Sequence, residues 1–189
     1  LGISFSENIA KDKTELQFFE DELRGLSKND LTNLKKIEEK FIITMSYPDV
    51  NAVMENCIVR KTRETTWKAF NNRAVNENSP ILKEAVVLRN EKAALFGFNT
   101  WSEYRLQNRM AKSPKNVKAM YDNLIPKLQK AAEVEKKELV IDDIDIKDIA
   151  PWDIRYFISS ERSKVSNIEN GELKKYFFIH DVKNEMFKV

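Results

Sequence analysis

The sequence predicts a mainly α, multi-helical fold, with at most one or two short strands near residues 40–46. Three observations carry that expectation. Apolar residues recur at three and four positions over most of the chain, the spacing of one helix face. Four glycines and five prolines in 189 residues are too few to turn a many-stranded sandwich. Ser-Pro and Thr-x-x-Glu combinations stand ahead of the clearest periodic runs, where helices start. The length suits one large domain or two small ones, and we expect a single compact unit.

Taken in order, Leu1–Asn8 opens the chain without a clear period. From Glu15, the residues Leu16, Phe18, Phe19, Leu23 and Leu26 suggest short helical turns broken at Gly25, with another turn beginning at Asp30. Lys40–Ser46 is the best strand candidate, because β-branched and aromatic residues run consecutively before Tyr47-Pro48 punctuates them. A short helix over Pro48–Cys57 puts Val50, Val53 and Met54 on one side. The next, from about Lys61 to Ala74, repeats Arg63, Thr66, Trp67, Phe70 and Ala74 at helical spacing. Trp67 and Phe70 read as core, with a stacking platform for bases or sugars as the alternative.

The stretch from Ser79 to Pro114 has the strongest punctuation. Ser79 suits an N-cap and Pro80 the first helical position, where a missing donor is harmless, so a helix is expected to start there. Leu82, Ala85, Val86, Arg89, Ala93 and Phe96 keep its period, and Gly97 suits a left-handed end. Thr100-Trp-Ser-Glu103 has capping-box spacing, and Ser113-Pro114 opens a long amphipathic helix running toward Leu139. Pro126 is expected to kink that helix or end it. Ile141–Ile149 alternates apolar and acidic residues and reads equally as a strand or a connector. Pro151 begins a helix to about Lys164, Glu172–Phe178 forms a helical turn or two, and a last helix starts near Asp181.

Chemistry is sparse. With 32 Lys and Arg against 30 Asp and Glu, interspersed, the chain has no nucleic-acid footprint. No run reaches the roughly 18 apolar residues of a membrane span, and no signal-peptide pattern opens the chain. Cys57, the single cysteine, excludes an internal disulfide and fits a reducing compartment; it reads as a small buried apolar residue, not a reactive thiol. The lone histidine, His180, has no second histidine with which to hold zinc, and no Gly-x-Ser-x-Gly elbow accompanies it. Asp142, Asp143, Asp145 and Asp148 lack the glycine and closing glutamate of a calcium loop. Glu38-Glu39 and Asp142-Asp143 read as solvated faces.

A resemblance adds what spacing does not. Asn78-Ser79-Pro80, Leu95-Phe-Gly-Phe-Asn-Thr-Trp-Ser-Glu-Tyr-Arg-Leu106 and Arg109-Met-Ala-Lys-Ser-Pro114 resemble the thimet oligopeptidase, neurolysin and saccharolysin family of zinc metallopeptidases. Leu1–Asn8, Glu22–Leu26, Tyr47-Pro48, Arg63 with Ala69–Arg73, Trp152–Phe157 and Leu173–Phe177 resemble the same family in the same order. The sequence departs from the family pattern at Ser4 (usually acidic), at Ser27 and Phe178 (usually proline) and at Glu185 (usually glycine).

The resemblance implies that residues 1–189 are the helical portion of an oligopeptidase without its zinc-binding catalytic region. Such a portion contributes to the wall of a channel that admits short peptides, and the family's His-Glu-x-x-His helix would lie beyond Val189. Since the chain opens on Leu1, a longer parent is expected. Zinc belongs to the parent enzyme, with no metal or cofactor expected in this chain, no catalytic or metal-ligating residue assigned and the substrate-binding residues unknown. Its partners are the remainder of the parent polypeptide and, in the parent, short peptides, with neither nucleic acid nor membrane. The compartment is cytoplasmic or, alternatively, mitochondrial. Trp152, Asp153 and Tyr156 either face the channel or pack a helix start. The alternative to the peptidase reading is a stand-alone helical interaction module without enzymatic activity.

Overall fold

A computed structural model describes residues 1–138, 148–166 and 179–186. The chain is mainly helical and divides into two compact units: residues 1–12 with 72–138, and residues 13–71 with 139–189. The division into two, where one was expected, follows from chain routing. Residues 72–138 leave the end of one helix and the chain rejoins the other unit afterwards, so each unit draws on separated stretches of sequence.

The second unit is built on a three-stranded antiparallel sheet of order β1-β3-β2, with β1 Glu15–Phe18, β2 Lys35–Ile37 and β3 Lys40–Thr44. The expected strand is thus central, and it has one partner more than the sequence reading allowed. Residues 15–18, read as helical turn, pair instead with β3 in the register Leu16 to Ile43 and Phe18 to Phe41. Sheet pairing overrides the local pattern because both residues of each pair then share one buried face.

The helices α2 Lys28–Asn33, α3 Tyr47–Asn56 and α4 Arg60–Asn71 follow. Ser27, the residue that departs from the family's proline, caps α2: its hydroxyl accepts the Asp30 N–H at 3.1 Å while the Asp30 carboxylate accepts the Ser27 N–H at 3.2 Å. Phe18, Leu23, Leu26, Phe41, Ile43, Val53 and Cys57 form one buried cluster. Met45, Val50 and Met54 form a second, against which Trp67, Phe70 and Trp152 pack. The expected core side of α3 is therefore buried, and the aromatic stripe of α4 packs half-buried against it. Gly25 sits at φ +100°, and a side chain there would collide with the Asn56 carbonyl and Ile58.

The first unit holds α1 Gly2–Lys11, α5 Val75–Leu95, α6 Trp101–Leu106 and α7 Pro114–Glu138. The opening segment, given no element from sequence, is a helix lying along α5. Asn8 Nδ2 donates to the Asn78 side-chain oxygen at 2.9 Å, and Asn78 Nδ2 donates to the Phe5 carbonyl at 3.0 Å. This contact corrects the expected start of α5. Burying Asn78 against α1 requires helix already at Val75, so Ser79 does not cap; its hydroxyl donates back to the Val75 carbonyl at 2.6 Å. Ala74, left-handed at φ 50°, forms the corner and donates its N–H to the Asp12 carboxylate at 2.8 Å.

Gly97 ends α5 at φ +76°, and the Thr100–Glu103 capping box starts α6 as the spacing predicts. Tyr104 gathers the corner, its ring centroid 5.1 Å from Phe96, 5.6 Å from Phe98 and 5.4 Å from Trp101. Ser113 accepts the Asn116 N–H at 3.2 Å ahead of α7, which continues through Pro126 without ending.

The remaining described helices are α8 Pro151–Ser166 and α9 Ile179–Met186, the latter starting two residues ahead of the expected Asp181. Of the expected strand or connector at 141–149, residues 141–147 lie outside the described residues, as does the turn at 172–178.

Candidate functional site

The best-built polar constellation surrounds the start of α8. Pro151 occupies the first helical turn, and Asp153 stands where the free N–H groups of a helix start favour negative charge. Asp153 Oδ2 accepts the Ala150 N–H at 3.0 Å. Its side chain is fully buried, and two arginines of α4 converge on it. Arg60 donates through Nε at 3.1 and 3.0 Å to the two oxygens and through Nη2 at 2.8 Å to Oδ2. Arg63 donates Nη2 to Oδ1 at 2.7 Å.

Arg63 is itself enclosed. Its Nη1 reaches the carbonyls of Cys57 at 2.8 Å and Ile58 at 3.1 Å, and its Nε reaches that of Trp152 at 3.3 Å. The guanidinium stacks 4.3 Å from the Tyr156 ring centroid. Arg60 also donates Nη2 to the Asp148 carbonyl at 2.6 Å. Burial alone would push the Asp153 carboxyl up, but hydrogen bonds from Arg60, Arg63 and the Ala150 N–H outweigh it and hold the carboxyl below its ordinary range. Arg60 is pushed the other way by the same carboxylate.

These donors occupy the lone-pair directions of the carboxylate, so Asp153 has no capacity left to take a proton from a substrate or to bind a metal. The cluster joins α4 to α8 and supports packing. Trp152 and Tyr156 share that role: Trp152 meets Trp67 edge-on at 5.8 Å, and Lys68 Nζ lies 5.4 Å from the Trp152 ring centroid. Of the two readings of Trp152, Asp153 and Tyr156, the packed helix start is the one these contacts describe. Arg60 was singled out by no sequence pattern, because its partner lies 93 residues away.

The other candidates lie apart. Cys57 is buried with Sγ 3.4 Å from the Glu22 carbonyl, and burial raises its thiol above the ordinary range, which favours the unreactive protonated form. His180 is exposed, with Nε2 3.1 Å from the Asn184 side-chain nitrogen. Glu38 and Glu39 are exposed in the β2–β3 turn. Asp142, Asp143 and Asp145 lie outside the described residues. Among the described residues no group of three or more His, Cys, Asp or Glu is placed to hold a metal ion. No described helix is long and apolar enough to cross a membrane.

Fold and site together define a class: a helical scaffold whose buried charges are consumed in packing. Comparison with known proteins supplies the family. A model described as peptidase family M3 matches residues 53–189. Over 126 residues the chain is 37% identical to a thimet-like oligopeptidase of Dictyostelium discoideum, covering 65% of this chain and 19% of that protein. It is 27% identical to oligopeptidase A of Salmonella typhimurium over all of this chain and 31% of that one. It is 28% identical to saccharolysin of Saccharomyces cerevisiae over 93% of this chain and 27% of that one. The chain belongs to peptidase family M3. It spans less than a third of the length of these relatives.

Proposed function

We propose that this chain is a non-catalytic portion of a zinc metallo-oligopeptidase that hydrolyses short peptides, and that its helices contribute to the wall of the substrate channel. The family match combined with partial coverage of these relatives carries the reading. Its buried acid and its lone cysteine are engaged in structure, which agrees with catalysis residing elsewhere in the parent. Zinc, and the peptide substrate whose hydrolysis it assists, belong to the parent enzyme on this reading. The test is turnover of an internally quenched peptide with added zinc: none by the isolated chain, and metal-dependent cleavage by the full parent. Turnover by the isolated chain, or a parent reading frame without a zinc motif, overturns it.

A second reading, a stand-alone helical interaction module, is favoured by the exposed apolar residues of α5 and α7, among them Leu82, Val86, Leu124 and Leu128. A transcript confined to these residues, together with cooperative unfolding of the isolated chain, supports that reading over the first.

A further inference from the structure

Within the sheet-containing unit, α2, α3 and β3 enclose a cleft of about 390 Å³. That volume falls in the range of about 300–1,000 Å³ in which small-ligand clefts lie. Leu34, Pro48 and Ala52 supply its apolar part, and the rest is polar and of one sign. Asp30, Asp49 and Glu55 line it together with the amides of Asn33 and Asn56, and among the described residues no lysine or arginine does. Two of the carboxylates are already fixed in place. One oxygen of Asp30 accepts the Ser27 N–H and hydroxyl at 3.2 and 2.6 Å, and one oxygen of Asp49 accepts the Thr44 N–H and hydroxyl at 3.0 and 2.5 Å. The second oxygen of each accepts no bond from a described residue, and Glu55 and the side chains of Asn33 and Asn56 have no described partner either. Arg155 of α8 bonds the side-chain oxygen of Asn51, another lining residue, at 2.5 Å, so the rim already receives one guanidinium while the three carboxylates stay unpaired among the described residues.

We propose that this cleft binds a guanidinium carried on an aliphatic stem. Charge complementarity calls for a cation, and spacing selects its kind. No described group of three or more carboxylates is placed to hold a metal ion, so the negative charge is too spread for a point charge. A guanidinium is planar and offers five donors in a fixed fork, which can meet acceptors set apart from one another. An ammonium has three donors and holds its water more strongly, so it loses more on entering a partly apolar cleft. The free oxygens of Asp30 and Asp49 take two of the five donors with charge assistance, and the amide oxygens of Asn33 and Asn56 accept others. Glu55 adds charge at the open edge, and the stem lies along Leu34, Pro48 and Ala52. Carboxylates held by their own chain need little ordering when the ligand arrives, which favours binding. All the lining residues fall between Leu26 and Asn56, so the site does not depend on whether the parent cleaves peptides.

The experiment titrates the whole chain with two guanidinium sources, agmatine and a blocked Ala-Arg-Ala peptide, while backbone amide resonances are followed. Blocked Ala-Lys-Ala and Ala-citrulline-Ala peptides serve as comparisons, the second keeping the shape of arginine without its charge. The expected result is saturable shifts confined to α2, α3 and β3, with the citrulline peptide weaker by about tenfold or more. Glu55→Gln should weaken the arginine peptide by about fivefold, whereas Glu133→Gln, on exposed α7, should leave it unchanged. Tighter binding of the peptide assigns the cleft to an arginine side chain of a polypeptide, and tighter binding of agmatine assigns it to a free small cation; each supports the proposal. No saturable shift, shifts outside the cleft, equal affinity for the lysine or citrulline peptide, or an affinity indifferent to Glu55→Gln overturns it.

Discussion

The two units are organised by opposite means. In the unit containing the sheet, the start and end signals of β1 and β2 are weak, yet Ile42, Ile43, Val53, Cys57 and Phe157 are almost completely enclosed, and the Asp153 carboxylate is buried with Arg63 while the partly exposed Arg60 closes over it. In the α5–α7 unit the caps, the terminal glycine and the aromatic corner are well formed, but Ala74, Asn78 and Ala93 alone are buried among its described residues. Local signals place helix ends. Burial supplies most of the stability that keeps elements together, because each cap contributes only about 1 kcal/mol while a buried aliphatic side chain contributes about 2 kcal/mol.

The largest expected effect is at the buried ion cluster. Asp153→Asn leaves Arg63 enclosed without its counter-charge and should destabilise the sheet-containing unit by about 4 kcal/mol, read from urea unfolding. A loss below about 1 kcal/mol would mean that the cluster does not hold α8 to α4. Next comes a matched pair of truncations. Ile43→Ala, at a fully enclosed site, should cost about 3 kcal/mol, whereas Leu82→Ala in the isolated chain should stay within about 0.5 kcal/mol. Similar losses at the two sites would erase the contrast between the units.

The glycines sharpen it further. Gly25→Ala combines a left-handed φ with a collision against Asn56 and Ile58 and should cost about 2 kcal/mol or more. Gly97→Ala meets open space and should cost about 1 kcal/mol from backbone strain alone. The smallest effect is a dependence on acid. Asp153 has a lowered folded-state pKa, so its contribution is present above the unfolded-state value and is lost as pH falls through the folded-state value. Unfolding followed from neutral pH into the acid range should show that loss in the native chain and less of it in Asp153→Asn, with α5–α7 amide exchange little changed between the two.

How much was legible depended on the range of the interaction. The Thr100–Glu103 box, the Gly97 terminus, the apolar side of α3 and the start of α8 at Pro151 all rest on groups within a few residues of one another. The failures share a different cause. Residues 15–18 become strand because Thr44 to Phe41 lie beside them, and α5 begins at Val75 because Asn78 is claimed by Phe5 and Asn8, some seventy residues earlier. Trp152–Phe157 and Arg63 were each recognised from sequence, but their pairing across some ninety residues was not, and Arg60 was missed altogether.

The sequence by itself therefore determined the helical class, the capped corner from Gly97 to Thr100 and the family, since these depend on local hydrogen bonding, hydrophobic period and residue order. Tertiary structure alone decided the division into two units, the third strand and the conversion of Asp153 from a candidate channel residue into the buried tie between α4 and α8. The physical reason is that a charge acquires its role from the groups that replace water around it, and those groups come from parts of the chain that only folding brings together.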